Sequence, residues 1–379
     1  MQEVQPRTFD FQELAVWSTR LPDVELAVLP ASNSRPNPLA TADRLYVSVF
    51  APGAACALDR DRGKLLWRRE LPRFASSSVH LHERKLLACT ATTLWALHPD
   101  SGETLWSFCP YGNDGEWIYS SPSTKEDRLY IGDRRGFLHC LDIDSGTTIW
   151  NQCTNQAGGD VNSTPVLLHD LVIVTTNAKT AVAYEALSGK LAWTQDLNEP
   201  STFGPVMHGR SVLIVSGSLY VLDPKTGRVQ RQLSWSDRKV QQAVSTPRSI
   251  IVVLRPDIPR TEISATNVEA ITAAAKELRA KTTMCVIAQS GTESQRQIDC
   301  FCPSLRYAPA TRLVYLSHLG GIDVFRPSSG TFLYQLKAEN RSRRGTGLVD
   351  VKDANVYALM GDGCVYALRH PAQPRRVSS

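Results

Sequence analysis

A glycine followed four residues later by a tryptophan recurs along this chain at intervals of about forty residues, and no other feature restricts the possible folds as much. The segments read DRGKLLW ending at Trp67, DSGETLW at Trp106, DSGTTIW at Trp150 and LSGKLAW at Trp193, with glycines at 63, 102, 146 and 189. Weaker copies follow at Gly227, Gly291 and Gly330, where Arg231, Gln295 and Tyr334 take the tryptophan position. Two further landmarks keep step. One is a Ser/Thr-Pro pair or its relic at Pro122, Pro165, Pro205, Pro247 and Pro303; the other is a pair of apolar runs around a tight turn, as in LYIGDRRGFLHCLD (129–142) and VYALMGDGCVYALR (356–369).

Each unit therefore holds four short runs rich in Val, Ile, Leu, Tyr and Trp, separated by Gly, Asp, Asn and Ser, which is strand and turn chemistry. Four antiparallel strands in such a period make a propeller blade. Helical solenoids would need 3.6-residue periodicity, and immunoglobulin units are about twice as long. The paired second and third strands, from 45–59 to 356–369, number eight. The expected fold is all-β: an eight-bladed β-propeller of four-stranded antiparallel blades forming one domain over 1–379, with a flexible tail at 371–379. The last blade lacks its Gly-x-x-x-Trp strand, whereas residues 8–21 form an orphan strand carrying Trp17. That N-terminal strand is expected to close the last blade and cover its edge.

ALDRDRGKLLW (57–67) and CLDIDSGTTIW (140–150) nearly reproduce the pattern A-x-D-x-x-T-G-x-x-x-W. On these residues the chain resembles the pyrroloquinoline-quinone-like β-propellers over almost its whole length. The resemblance implies that Trp17, Trp67, Trp106, Trp150 and Trp193 dock as wedges against the neighbouring blade. Such propellers include the lipoprotein of the outer-membrane assembly machine, quinoprotein dehydrogenases and accessory propellers of adenylating enzymes, so the resemblance implies a fold more than a function. The dehydrogenases use a vicinal Cys-Cys disulfide, and no Cys-Cys dipeptide occurs here. The chain is accordingly placed in a non-quinoprotein branch, with no cofactor, no metal and no catalytic residue expected.

Other chemistry finds little support. The motifs G-x-S-x-G, H-E-x-x-H and G-x-x-x-x-G-K-[ST] are absent. Asp133 and Asp362 sit in Gly-Asp turns, which hairpin geometry explains. His80 and His82 share a strand face, where a solvated edge is the ordinary explanation. The nine cysteines are irregularly spaced, several fall in apolar runs, and Cys300 and Cys302 lack the second pair a zinc site needs. No apolar run is long enough to span a bilayer, and the N-terminus lacks a leader pattern, so a cytoplasmic location is expected. A net charge of +5 is too small to imply nucleic acid.

A binding role remains. In a propeller, the loop leading into each blade and the loop between its second and third strands emerge on one face. That face collects Trp117, Arg134, Arg135, Lys179, Trp235, Arg238, Lys239, Arg341, Arg343 and Arg344, and Trp and Arg are enriched in interface hot spots. The sixth blade carries an insertion, 255–283, in place of a tight turn. Its second half predicts a helix: Thr266 and Glu269 form a capping box, and Val268, Ile271, Ala275 and Leu278 make one apolar stripe. The function expected is a non-catalytic scaffold for protein partners within a larger intracellular assembly, with Ile271 and Leu278 joining the basic loops. The competing reading is a ligand- or quinone-binding module, or the accessory propeller of an adenylating enzyme.

Overall fold

Apolar alternation within the runs and turn residues between them produce thirty-three strands and one short helix among the described residues. The computed structural model describes residues 7–24, 37–112, 118–154, 159–201, 203–257, 281–298, 304–318, 321–337, 346–353 and 355–371. The chain opens with β1 (Arg7–Asp10), α1 (Phe11–Leu14) and β2 (Ala15–Arg20). Blade one is β3 (Leu39–Ala40), β4 (Arg44–Val49), β5 (Ala54–Asp59) and β6 (Leu65–Glu70); blade two is β7 (His80–His82), β8 (Lys85–Cys89), β9 (Leu94–Leu97) and β10 (Thr104–Phe108). Blade three is β11 (Ser123–Lys125), β12 (Arg128–Gly132), β13 (Phe137–Asp142) and β14 (Thr148–Cys153); blade four is β15 (Val166–Leu168), β16 (Leu171–Thr175), β17 (Thr180–Glu185) and β18 (Leu191–Asp196). Blade five is β19 (Val206–His208), β20 (Ser211–Ser216), β21 (Ser218–Leu222) and β22 (Val229–Leu233); blade six is β23 (Arg238–Ser245), β24 (Ser249–Pro256), β25 (Thr283–Ala288) and β26 (Glu293–Gln297). Blade seven is β27 (Ser304–Ala308), β28 (Leu313–His318), β29 (Gly321–Phe325) and β30 (Phe332–Lys337), and the last three strands are β31 (Thr346–Lys352), β32 (Asn355–Met360) and β33 (Cys364–Arg369).

These are the four-stranded antiparallel blades of an eight-bladed β-propeller, each pairing its strands in chain order. In blade eight β2 supplies the fourth strand against β33, with Trp17 opposite Ala367. The N-terminal strand thus closes the last blade, but only from Ala15. Upstream, β1 lies parallel to β30 as a fifth strand of blade seven, with Arg7 opposite Tyr334 and Asp10 opposite Lys337. The turn α1 carries the chain from one blade edge to the other. Asp10 caps it, accepting from Gln12 N at 2.8 Å, while Phe11 is buried edge-on against Tyr366. The helix expected from Thr266 in the second half of the 255–283 insertion lies on residues outside the described ones and is not borne out; the described part of that blade begins with two long strands, β23 and β24, of eight residues each. Residues 372–379 of the expected tail also lie outside the described residues.

Two compact units divide the chain. One holds blades one, two and eight with most of blade seven. Its core packs Leu21, Val47, Cys56, Tyr357 and Val365 together, Tyr46 and Leu86 beside them, and Phe11, Tyr315 and Leu336 under α1. The other holds blades three to six, with Tyr130, Val174 and Tyr184, then Ile173, Trp193 and Ile214, then Leu213, Val252 and Cys285 filling successive seams.

The repeat owes its spacing to how neighbouring blades meet. After the third strand a turn closes with the glycine N–H donating back to the carbonyl four residues earlier, as Gly63 N does to Asp59 O at 2.8 Å; in blade one Asp59 Oδ1 also accepts from the backbone of Asp61 and Arg62, while His98 and Glu185 hold that position in blades two and four. The turn presents one carbonyl, three residues before the glycine, to the indole of the preceding blade. Trp17 Nε1 donates to Arg60 O at 2.8 Å, Trp67 to Pro99 O at 2.9 Å, Trp150 to Ala186 O at 3.1 Å and Trp193 to Pro224 O at 2.8 Å. A bulge immediately before the tryptophan, with Trp67 opposite Ala57 but Leu65 opposite Leu58, sets two residues against one. The same irregularity precedes Trp17, Trp106, Trp150 and Trp193.

Glycine is required under the ring for two reasons. At Gly102 φ is +73°, and a Cβ would lie 2.6 Å from the Trp67 ring; at Gly63 φ is +69° and the Trp17 ring would be 2.4 Å away. Where blade five offers Arg231 instead, the facing Gly291 has open space within 4 Å. Gly102→Ala therefore costs a left-handed backbone plus a steric clash, about 2–4 kcal/mol by chemical denaturation. In a Trp67→Leu background the steric part disappears, so the two substitutions are less than additive; full additivity would show that the ring does not select the glycine.

Burial also couples stability to pH. His370 and His208 both have pKa values lowered from 6.5 by burial, His370 Nε2 lying 2.6 Å from Tyr334 Oη. The folded chain takes up these protons less readily than the unfolded chain. Their contribution is complete above pH 6.5 and is lost as pH falls from there toward the lowered folded values. The melting temperature should drop between pH 7.5 and 5, and His370→Gln, which keeps an acceptor for Tyr334, should flatten that slope; an unchanged slope contradicts the assignment.

Candidate functional site

Loops of blades three to six carry the described members of the expected binding set, each set by its own hairpin. Arg134 and Arg135 occupy the β12–β13 turn and both are exposed. The turn is built on Asp133, which is 1% exposed: its Oδ1 accepts from Arg135 N at 2.8 Å and Phe137 N at 3.0 Å, and its Oδ2 meets His139 Nε2 at 2.7 Å. A buried carboxylate satisfied on both oxygens fixes the turn rigidly. The incoming loop locks beside it, with Val161 N donating to Asp133 O and Asn177 N to Asp160 O. Asp160 Oδ2 then gathers Asn162 Nδ2, Asn177 Nδ2 and Arg134 Nε at 3.3, 3.2 and 3.4 Å.

The cations on this frame differ in how far they are neutralised. Arg134 is 41% exposed, loosely paired to Asp160, and stands 6.0 Å over the Tyr119 ring. Lys179, exposed in the β16–β17 turn, has no ion pair among the described residues. At the blade-five and blade-six corner the opposite holds. Lys239 Nζ binds Glu199 at 2.7 Å and Asp257 at 2.9 Å, and these two hydrogen bonds raise its pKa. Arg238 is held by Asp237 and by Thr283 Oγ1. Trp235, expected as a loop contact, packs half-buried against the cluster of Leu213, Val240 and Leu254 and closes the seam between its two blades. Trp117, Ile271, Leu278, Arg341, Arg343 and Arg344 lie outside the described residues.

The pair Asp133–His139 was missed as a unit, although an aspartate ending one strand and a histidine six residues on, across the hairpin, is visible in the sequence. Asp362 is a turn residue, accepting from Cys364 N. Among the described residues no group of three or more His, Cys, Asp or Glu converges as metal ligands would. All seven described cysteines are free, and burial pushes Cys56, Cys89 and Cys285 up to about 12, so these sulfurs are protonated and poor nucleophiles. No helix among the described residues is long and apolar enough to cross a membrane.

A family model described as outer membrane protein assembly factor BamB matches residues 14–110 and 90–297. The chain belongs to this PQQ-like propeller family. It is 28% identical over 89 residues to the outer membrane protein assembly factor BamB of Shewanella oneidensis, a match that covers 24% of this chain and 22% of that protein. It is 23% identical over 211 residues to the tetrathionate hydrolase of Acidithiobacillus ferrooxidans, covering 51% of this chain and 40% of that one. These curated relatives are matched over less than half their length. Among solved structures, a quinohemoprotein alcohol dehydrogenase from Pseudomonas putida superposes with a TM-score of 0.67 at 13% identity over all of this chain and 80% of that one, a likeness of fold.

The frame and the cations on it should separate experimentally. Asp133→Ala strands two backbone N–H groups and a buried imidazole, an expected loss of about 2–4 kcal/mol in denaturant. Arg134→Gln and Lys179→Gln should stay within about 0.5 kcal/mol of the parent chain. A large loss from the surface changes would mean that these cations belong to the frame.

Proposed function

We propose that this chain is a non-catalytic scaffold that binds a protein partner through the loop face of blades three and four, with Arg134, Arg135 and Lys179 as the contacting cations. The observation that carries the reading is their exposure on two neighbouring turns, Arg134 and Arg135 on the β12–β13 turn held by Asp133 and His139, and Lys179 on the β16–β17 turn whose Asn177 is tied to Asp160. Rigid loops lose little freedom on binding, and exposed surface cations steer an acidic partner. The assembly factors among its relatives support a partner-binding role. Its expected cytoplasmic location is carried in the same proposal, supported by free thiols at every described cysteine, the state a reducing compartment maintains; subcellular fractionation tests that part.

Reversing Arg134, Arg135 and Lys179 to Glu should leave the fold intact, abolish capture of the partner recovered with the parent chain, and flatten the salt dependence of that capture. Quantitative mass spectrometry of parallel pull-downs reads this, and undiminished capture by the triple variant moves the surface elsewhere. A second reading, a quinone-binding module, draws on the fold shared with the quinohemoprotein dehydrogenase. Saturable quinone binding with a spectral shift would favour it over the scaffold.

A further inference from the structure

We propose that the outer edge of blade one, Trp67 to Glu70 of β6, docks an acidic extended segment of a protein partner as an added strand; this deepens the scaffold reading and rests on it. The molecule already contains one such addition. In blade seven, β1 lies against the outer edge of β30 from Tyr334 to Lys337, directly after the bulge at the tryptophan position. Phe9 packs edge-on to Tyr334 with ring centroids 6.0 Å apart, and Asp10 stands opposite Lys337. Opposite charges across a strand pair favour that register.

The equivalent stretch of blade one follows the same bulge, and β6 ends its sheet with nothing paired to its outer edge among the described residues. Such an edge offers a row of backbone donors and acceptors. Its charge sets it apart from the next two repeats. From Arg60 to Arg73 six basic residues stand against Asp61 and Glu70, whereas the matching stretches 99–112 and 143–156 carry two acids and one, and no base. Arg60 is neutralised by Asp61 and Asp353. Arg62, Lys64, Arg68 and Arg69 have no carboxylate partner among the described residues.

Two of these cations flank the edge. Arg69 turns toward blade two, Nη2 donating to Thr104 Oγ1 at 3.1 Å. Arg68 turns the other way, Nη1 donating to Pro22 O at 2.5 Å, while its Nε and Nη2 lie out of solvent with no acceptor. A guanidinium with two buried and unmet N–H groups lacks an anion. An incoming strand with carboxylates at successive positions would meet the exposed Arg69 on one face and, as the Arg68 side chain turns outward, supply the anion it lacks on the other, and Leu66, 44% exposed on the bulge, adds an apolar contact.

The test uses the full chain and a labelled eight-residue peptide of alternating Glu and Val. Beside it stand a Lys-for-Glu counterpart and an N-methylated form of the Glu peptide that cannot pair through its backbone. Fluorescence anisotropy should show saturable binding of the Glu peptide alone, and hydrogen exchange should show new protection at residues 67–70. Arg68→Gln with Arg69→Gln should weaken binding about tenfold or more, as expected for lost charge-assisted hydrogen bonds; the exchange pattern of the parent chain decides the matter if that variant folds poorly. Equal binding of the lysine or N-methylated peptide, protection elsewhere, or no saturation at millimolar peptide overturns the proposal. The Arg134, Arg135 and Lys179 variant should bind the peptide like the parent chain. Peptide failure with partner capture intact thus removes only the blade-one edge, and lost capture with peptide binding intact removes only the loop face.

Discussion

One indole N–H reaching one backbone carbonyl of the next blade is the contact on which the blade-to-blade spacing depends. A carbonyl at the head of a turn is accessible only if the turn is tight, hence the glycine whose N–H closes the turn and whose backbone permits the left-handed exit. The indole reaches that carbonyl only if its strand is bulged one residue earlier. Glycine turn, bulge and tryptophan are therefore one device divided between two repeats. Blade five shows what happens when part of it is missing: with Arg231 in place of the ring, Gly291 faces open space, and the seam beyond is filled instead by Trp235 from the connecting loop.

Whatever rests on side-chain identity at a fixed interval was legible in the sequence, including the blades, their number and the closing role of the strand with Trp17. The indole's acceptor was not, because a backbone carbonyl leaves no trace in residue identity. The parallel pairing of β1 was also hidden. Its four residues, RTFD, carry no alternation of their own and owe their place to Phe9 against Tyr334 and Asp10 against Lys337, contacts with residues more than three hundred positions away. In the candidate site, the sequence supplied Arg134 and Arg135 but not the buried Asp133–His139 pair beneath them, since an aspartate in a hairpin turn looks the same whether or not its second oxygen is engaged.

The cations show why a charge count predicts so little about recognition. Lys239 and Arg238 belong to the same expected binding set as Arg134 and Lys179 and contribute equally to the net charge, yet the former are committed to Glu199, Asp257 and Asp237. Charge available to a partner is what local carboxylates leave over, and that depends on which strands the fold sets side by side. A propeller lends itself to this sorting because its turns repeat with fixed geometry while their side chains vary freely.

The pairing of β2 with β33 joins strands far apart in sequence. Trp17 precedes Ala367 by about 350 residues, so at about 5–20 residues per second of synthesis β2 waits roughly half a minute for its neighbour to emerge. Every other fourth strand has its partner within a few residues. Contacts of such long range form slowly because the intervening chain must be ordered first. Blade eight is therefore the one blade whose fourth strand depends on a contact of such long range, so loss of that pairing uncovers the outer edge of β33 without breaking any local hairpin.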